Sequence, residues 1–149
     1  MSAESSATTT IFSERDILIK HEFLEFLFGE LVDMRPIFEN DFDEMLVYTA
    51  ISRFYLRDER IGLSNEDAET RVAHGLTATR IAGWTNIPRE TVRRKLHRLE
   101  KRGLLEKGPR GWQVARKDGQ PVIRVEFARE WRQELDRIIK LVTALRAHI

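Results

Sequence analysis

The run from Thr77 to Trp112, TATRIAGWTNIPRETVRRKLHRLEKRGLLEKGPRGW, constrains the fold more than any other part of the chain. Val92, Leu96 and Leu99 recur in it at four- and three-residue spacing, which lays a single apolar stripe along a helix. Arg89, Arg93, Arg94, Lys95, Arg98, Lys101 and Arg102 occupy the positions between, so the remaining surface of that helix is predicted to be cationic. Pro88 starts it at no cost in amide hydrogen bonds, and Gly103 stops it. Upstream, Thr77 is the expected cap of a shorter helix through Ala78, Thr79, Arg80, Ile81 and Ala82, the last small enough for a second helix to cross closely. After Gly103, Leu104-Leu105-Glu106-Lys107 and Trp112-Gln113-Val114-Ala115 read as two strands joined by a turn at Gly108-Pro109-Arg110-Gly111. Trp112 is expected to pack this hairpin onto Leu104 and the basic helix.

The formal net charge of +1 conceals a steep gradient. Met1 to Thr70 holds 6 basic and 16 acidic residues, Arg71 to Lys117 holds 13 and 3, and the remainder 6 and 5. A polycation concentrated on one helix and its neighbouring hairpin is the footprint of a polyanion-binding surface, because each neutralised phosphate releases condensed counterions. The plainer alternative is a solvated basic face balanced by the acidic first half.

The residues Ile87-Pro88-Arg89-Glu90-Thr91-Val92-Arg93-Arg94-Lys95-Leu96, followed by Leu99-Glu100-Lys101-Arg102-Gly103-Leu104-Leu105, resemble the winged helix-turn-helix regulators of bacteria. The nearest in character are the multiple-antibiotic-resistance (MarR), GntR and Crp-type repressors and activators. The resemblance runs roughly from Phe42 to Val122 and is most specific from Thr77 to Leu105. Where the family usually places Gly in the helix–helix turn, this chain has Asn86, which tolerates a left-handed backbone better than most residues. The resemblance implies a mainly α fold with a small β-hairpin wing: a winged helix-turn-helix with N- and C-terminal accessory helices. In such a head the N-terminal half of the second helix enters the major groove, which makes Arg89, Glu90, Arg93 and Arg94 the candidate base contacts. Thr77, Arg80, His97, Lys101, Lys107 and Arg110 are the candidate contacts to the DNA backbone or through the wing.

The flanking segments are predicted as follows. Residues 1–11 are small and hydroxylated, and form an expected disordered tail. Ser13-Glu14-Arg15-Asp16 has capping-box spacing, and Ile19, Phe23, Phe26, Leu27 and Leu31 follow at helical period until Pro36 ends the pattern, giving an accessory helix within 12–39. Leu24 and Phe28 widen its apolar surface beyond one core contact, which suits a helix sandwiched in the domain or meeting a second subunit. Asn40 or Asp41 caps the next helix, whose inner face is Met45, Leu46, Ile51, Phe54 and Tyr55, with Gly62 as its limit; it opens a winged helix-turn-helix domain at 40–124. The stretch 63–76 carries turn residues around a short helix from Asp67. Arg116 to Gln120 is a second turn, and Pro121 to Val125 is an expected third strand. Within 125–149, Trp131, Leu135, Ile138, Val142 and Leu145 step by four, three, four and three, a heptad seam too short to stand alone. With Ile19, Phe23 and Leu27 they form the predicted dimer interface.

Other function classes find little support. Cysteine is absent, which excludes a disulfide framework and a thiolate metal site, and no cofactor is expected. His21-Glu22-Phe23-Leu24-Glu25 resembles part of a zinc-protease helix, but Glu25 stands where the second histidine belongs. His74, His97 and His148 lack partners in sequence, and there is no Gly-rich phosphate loop or nucleophile motif, so an enzyme is not expected. No apolar run reaches the roughly 18 to 20 residues of a membrane span, and MSAESSATTT lacks a signal-peptide pattern, so a cytoplasmic location is expected. The chain therefore reads as a double-stranded DNA-binding transcriptional regulator acting as a homodimer on a pseudo-palindromic operator. The alternative is a winged-helix adaptor that binds protein or RNA. A small-molecule effector is a further candidate partner, since Phe23, Phe26, Phe28, Phe54 and Tyr55 suit a pocket lining, although aromatics at helical spacing are more often core.

Overall fold

Ser13 and Asp16 form the reciprocal cap their spacing suggests: Ser13 N–H donates to Asp16 Oδ2 at 2.9 Å, and Asp16 N–H to Ser13 Oγ at 3.2 Å. The computed structural model describes residues 13–63 and 76–149, with the backbone alone for 58–63. The expected tail at 1–11, the short helix from Asp67 and His74 lie outside the described residues. Four helices come first, α1 (Glu14–Ile37), α2 (Phe42–Leu63), α3 (Ala78–Thr85) and α4 (Arg89–Lys101). The antiparallel strands β1 (Leu105–Gly108) and β2 (Gly111–Val114) follow, then β3 (Arg116–Lys117), β4 (Gln120–Pro121), α5 (Val122–Glu126) and α6 (Ala128–His148). The chain divides into two compact units, one of Met34–Ala128 and one joining the residues up to Asp33 with Arg129–Ile149.

The larger unit is built on the predicted stripe. Val92, Leu96 and Leu99 of α4 are fully buried, and they meet Met45, Val47, Tyr48 and Ile51 of α2, Ile81 of α3, and Leu104, Leu105, Trp112 and Val114 of the hairpin. Burying a leucine completely stabilises the fold by about 1.5–3 kcal/mol, so these positions carry much of the unit's stability. The turn between α3 and α4 forms as expected: Asn86 adopts a left-handed conformation (φ 58°), and its N–H donates to Ala82 O at 2.9 Å. Gly103 is also left-handed (φ 76°), which lets Leu104 N–H reach back to Leu99 O at 3.0 Å and turns the chain into the hairpin.

Two local expectations need correction. Pro121 to Val125 is not a third strand: β4 ends at Pro121, and Val122–Glu126 is helical, with Val122 N–H on Ala115 O at 2.9 Å and Phe127 N–H on Ile123 O at 2.9 Å. Packing of Val122, Ile123 and Phe127 against the core overrides the β propensity of Val-Ile-Arg-Val. Pro36 does not end α1, which runs one residue further to Ile37; a proline in the last turn still forfeits its own amide bond but no longer breaks an interior. Upstream of α3, Leu76 adds an isolated parallel bridge to Gly111 and accepts from Trp112 N–H at 2.9 Å. Gly111 (φ 109°) is required there, because a Cβ would run into the Leu76 backbone.

In the smaller unit, α1 and α6 are joined by Arg137, whose Nε donates to Glu30 at 2.8 Å and whose Nη2 lies 2.8 Å from Asp33 Oδ2. Partial burial and the neighbouring Glu30 push the Glu134 carboxyl above its usual range. No residue of α6 is buried, and Leu135, Ile138, Ile139 and Val142 are exposed, as are Ile17, Phe23, Leu24, Phe28, Leu31 and Val32 of α1. Trp131 and Leu145 of the predicted seam, and Ile19 and Leu27 of α1, are half-buried.

Candidate nucleic-acid interface

The two helices of the head are set by their caps. Thr77 Oγ1 accepts from Arg80 N–H at 3.2 Å, which starts α3 as predicted and uses the Thr77 hydroxyl within the fold. At the far end Thr85 Oγ1 accepts from Ile87 N–H at 3.3 Å, and Pro88 O takes Val92 N–H at 3.0 Å, which launches α4. With its apolar stripe sealed against α2 and α3, α4 presents its first two turns outward, and Arg89, Glu90, Arg93 and Arg94 are all exposed there. They do not stand independently. Arg93 Nη2 donates to Glu90 Oε1 at 2.8 Å, and Arg94 reaches Thr91 Oγ1 at 3.4 Å. The hydrogen bond and charge of Arg93 hold the Glu90 carboxyl below its ordinary range, so Glu90 stays an acceptor at neutral pH.

The opposite flank of α4 corrects the picture of a uniformly open cationic face. Lys95, Arg98 and Arg102 turn toward the α1–α2 junction and are held by carboxylates. Lys95 pairs with Asp41, Arg102 Nη1 donates to Glu44 Oε1 at 3.1 Å and Arg102 Nη2 to Ile37 O. Arg98 Nη2 meets Glu39 Oε2 at 2.7 Å, while its Nε lies 3.4 Å from Glu44 Oε2, close enough for an ion pair without hydrogen-bond alignment. Glu44 has no exposed side-chain surface, so Arg98 and Arg102 are what make its burial tolerable. Asp41 doubles as the cap of α2, accepting from Glu44 N–H at 2.9 Å. Burial works to raise the Asp41 carboxyl, but the bonds from Lys95 and the Glu44 amide, with the charges of Lys95 and Arg98, outweigh it and leave it below the usual range. Glu39 and Asn40 are left-handed in succession (φ 53° and 64°), a short turn that brings Glu39 and Asp41 to one side.

The remaining candidate contacts are dispersed over the head. Arg80 lies on α3 over the rings of Trp84 (5.0 Å) and Phe54 (6.0 Å), which themselves stack at 5.2 Å. His97 meets Trp112 edge-on at 5.4 Å and sits 3.5 Å from Glu100. Trp112 is buried, as expected, with Lys107 above its ring at 5.9 Å. Lys101 is exposed on the last turn of α4, and Lys107 and Arg110 on the wing. Of the aromatic residues considered for an effector pocket, Phe54 and Tyr55 line a cleft of about 330 Å³ with Trp112 and Arg110, whereas Phe23, Phe26 and Phe28 belong to the other unit. Reading along the chain missed the pairing roles of Glu39 and Glu44, because acidic residues beside a helix start look like caps alone and their basic partners lie more than fifty positions away.

Among the described residues no group of three or more histidine or acidic side chains is arranged to hold a metal, and no helix is long and apolar enough to cross a membrane. No curated protein and no solved structure matches the chain. Residues 52–119, which take in α3, α4, the hairpin and β3, match the Crp-like helix-turn-helix domain, and that match supports a helix-turn-helix DNA-binding regulator.

Proposed function

We propose that the protein is a sequence-specific double-stranded DNA-binding transcriptional regulator that acts as a homodimer on a pseudo-palindromic operator. The observation that carries this reading is the outer surface of α4, where Arg89, Glu90, Arg93 and Arg94 stand exposed on a helix whose other sides are committed to the core and to the acidic junction. Placed in a major groove, that half-helix offers Arg93 and Arg94 to guanine edges and Glu90 to a cytosine amine. Arg80, Lys101, Lys107 and Arg110, and His97 beside the wing, supply contacts to phosphate and sugar that add affinity without sequence information.

The dimer rests on the helical unit. The exposed Leu135, Ile138 and Val142, with Phe23 and the half-buried Ile19, Leu27, Trp131 and Leu145, offer more apolar surface than a monomer usually leaves in water. A second copy related by a two-fold axis covers such a seam with itself and presents two heads to half-sites about 34 Å apart. One head has a contact surface at the small end for protein–DNA complexes, so tethering two of them adds affinity through effective concentration.

The direct test is retention on a duplex carrying an inverted repeat, on a single half-site and on single-stranded RNA, measured across salt concentrations. Tighter, steeply salt-dependent retention on the inverted repeat is the expected result. Preferential retention on RNA would favour the adaptor reading instead.

A further inference from the structure

Resting on the DNA-binding reading, we infer that Arg98 is a further phosphate contact, held by Glu39 in the free protein and exchanged from that carboxylate to the DNA backbone on binding. The inner flank of α4 contains three paired cations, and they are not equivalent. Lys95 and Arg102 are only 19% and 25% exposed, against Asp41 at 19% and Glu44 at 0%, so each is held in a largely buried pair that would lose its shortest contact on moving. Arg98 and Glu39 are 48% and 57% exposed. An exposed ion pair of this kind is weak and screened by salt, and a doubly bonding phosphate competes with it on favourable terms.

The position of Arg98 fits the exchange. It lies one turn beyond Arg94, about 40° around the helix, on the border between the outward surface and the acidic junction. Arg93, Arg94, Lys95, His97, Arg98 and Lys101 border one open stretch of the α4 surface, so a phosphate reaching Arg94 or Lys101 is also within the territory of Arg98. The exchange asks only the Nη2 end of Arg98 to leave Glu39, so Glu44 keeps Arg102 Nη1 on its Oε1 at 3.1 Å and Arg98 Nε beside its Oε2. Glu39 is the counterpart that must be given up. It places a negative charge beside the path of the DNA backbone, where it lowers affinity twice, by holding Arg98 and by repelling phosphate.

The test is a double-mutant cycle of Glu39→Gln and Arg98→Ala on a duplex of random sequence, with affinity followed over a salt series. Both side chains are about half exposed, and thermal melts report whether the head of each variant is intact. Glu39→Gln should tighten binding and make the slope of log affinity against log salt steeper by up to about 1, since Arg98 then neutralises a phosphate without freeing a carboxylate. Arg98→Ala should weaken binding, and in its background Glu39→Gln should have clearly less effect than in the parent. Equal effects of Glu39→Gln with and without Arg98 would show that Glu39 acts only as a distant charge, and would overturn the exchange. An Arg98→Ala variant that binds like the parent would do the same while leaving the DNA reading intact. Failure of the parent itself to bind duplex DNA would overturn both.

Discussion

Two long helices of this chain treat their apolar residues in opposite ways. α2, with 22 residues, buries Met45, Val47, Tyr48, Ala50 and Ile51, whereas α6, with 21, buries none of its own and leaves Leu135, Ile138, Ile139 and Val142 open. α2 meets α3, α4 and β2 within its own unit, and those elements are short and bring complementary stripes. α6 is tied to α1 by a charged contact at Arg137, and its apolar side chains are at most half-buried. The two units therefore leave different surfaces open: the head buries its apolar core and exposes Arg89, Arg93 and Arg94 on α4, and the helical unit exposes apolar side chains.

Breaking the buried side of that contrast should have the largest effect. Leu96→Ala removes a fully buried side chain from the centre of the head and should cost about 2–5 kcal/mol, seen as an earlier midpoint in denaturant melts. Ile138→Ala, at a 38% exposed position, should change the melt of a dilute monomeric sample far less. Next in size is the seam itself. Ile138→Glu combined with Val142→Glu sets like charges against each other across a two-fold axis, so light scattering should give half the mass while circular dichroism keeps its helical signal. Half-site binding should persist as binding to the inverted repeat falls, and loss of the helical signal would instead make the seam part of a monomer's core.

The charge side of the contrast gives smaller effects. If Lys107 and Arg110 each meet a phosphate, Lys107→Ala with Arg110→Ala should flatten the log affinity against log salt slope by about 2. A slope equal to the parent's would take the wing off the DNA. Smaller still is a pH effect in the helical unit. Glu134 holds its proton more tightly in the fold than in the unfolded chain, because burial and Glu30 disfavour its charge. Its contribution is therefore fully present below the ordinary glutamate value of 4.5 and declines as pH rises through the raised folded value. Glu134→Gln should remove that decline from a stability-versus-pH series. Asp41, shifted the other way, adds stability above its ordinary value of 3.8 and loses it as pH falls through the lower folded value.

The head was legible in sequence because its signals are local. Val92, Leu96 and Leu99 state a helix face, Pro88 and Gly103 state its limits, and Asn86 turned left-handed where the motif needed it. What escaped depended on distant partners. Val-Ile-Arg-Val after Pro121 has the composition of a strand, and only packing on the core makes it a helix. The basic surface of α4 read as uniform because nothing beside Lys95, Arg98 and Arg102 in the chain announces Glu39, Asp41 and Glu44. The acidic first half and basic middle are thus partly each other's partners along one flank of one helix.

The proposal that the open flank of α4 reads bases is tested most directly by selection from a randomised duplex library with the parent protein and with Arg94→Ala at one salt concentration. The parent should enrich a defined motif, and Arg94→Ala should bind its best site about 1–3 kcal/mol more weakly while losing preference at one position of each half-site. Enrichment of the same motif with undiminished preference by the variant, or no enrichment by the parent, would contradict base reading from this face.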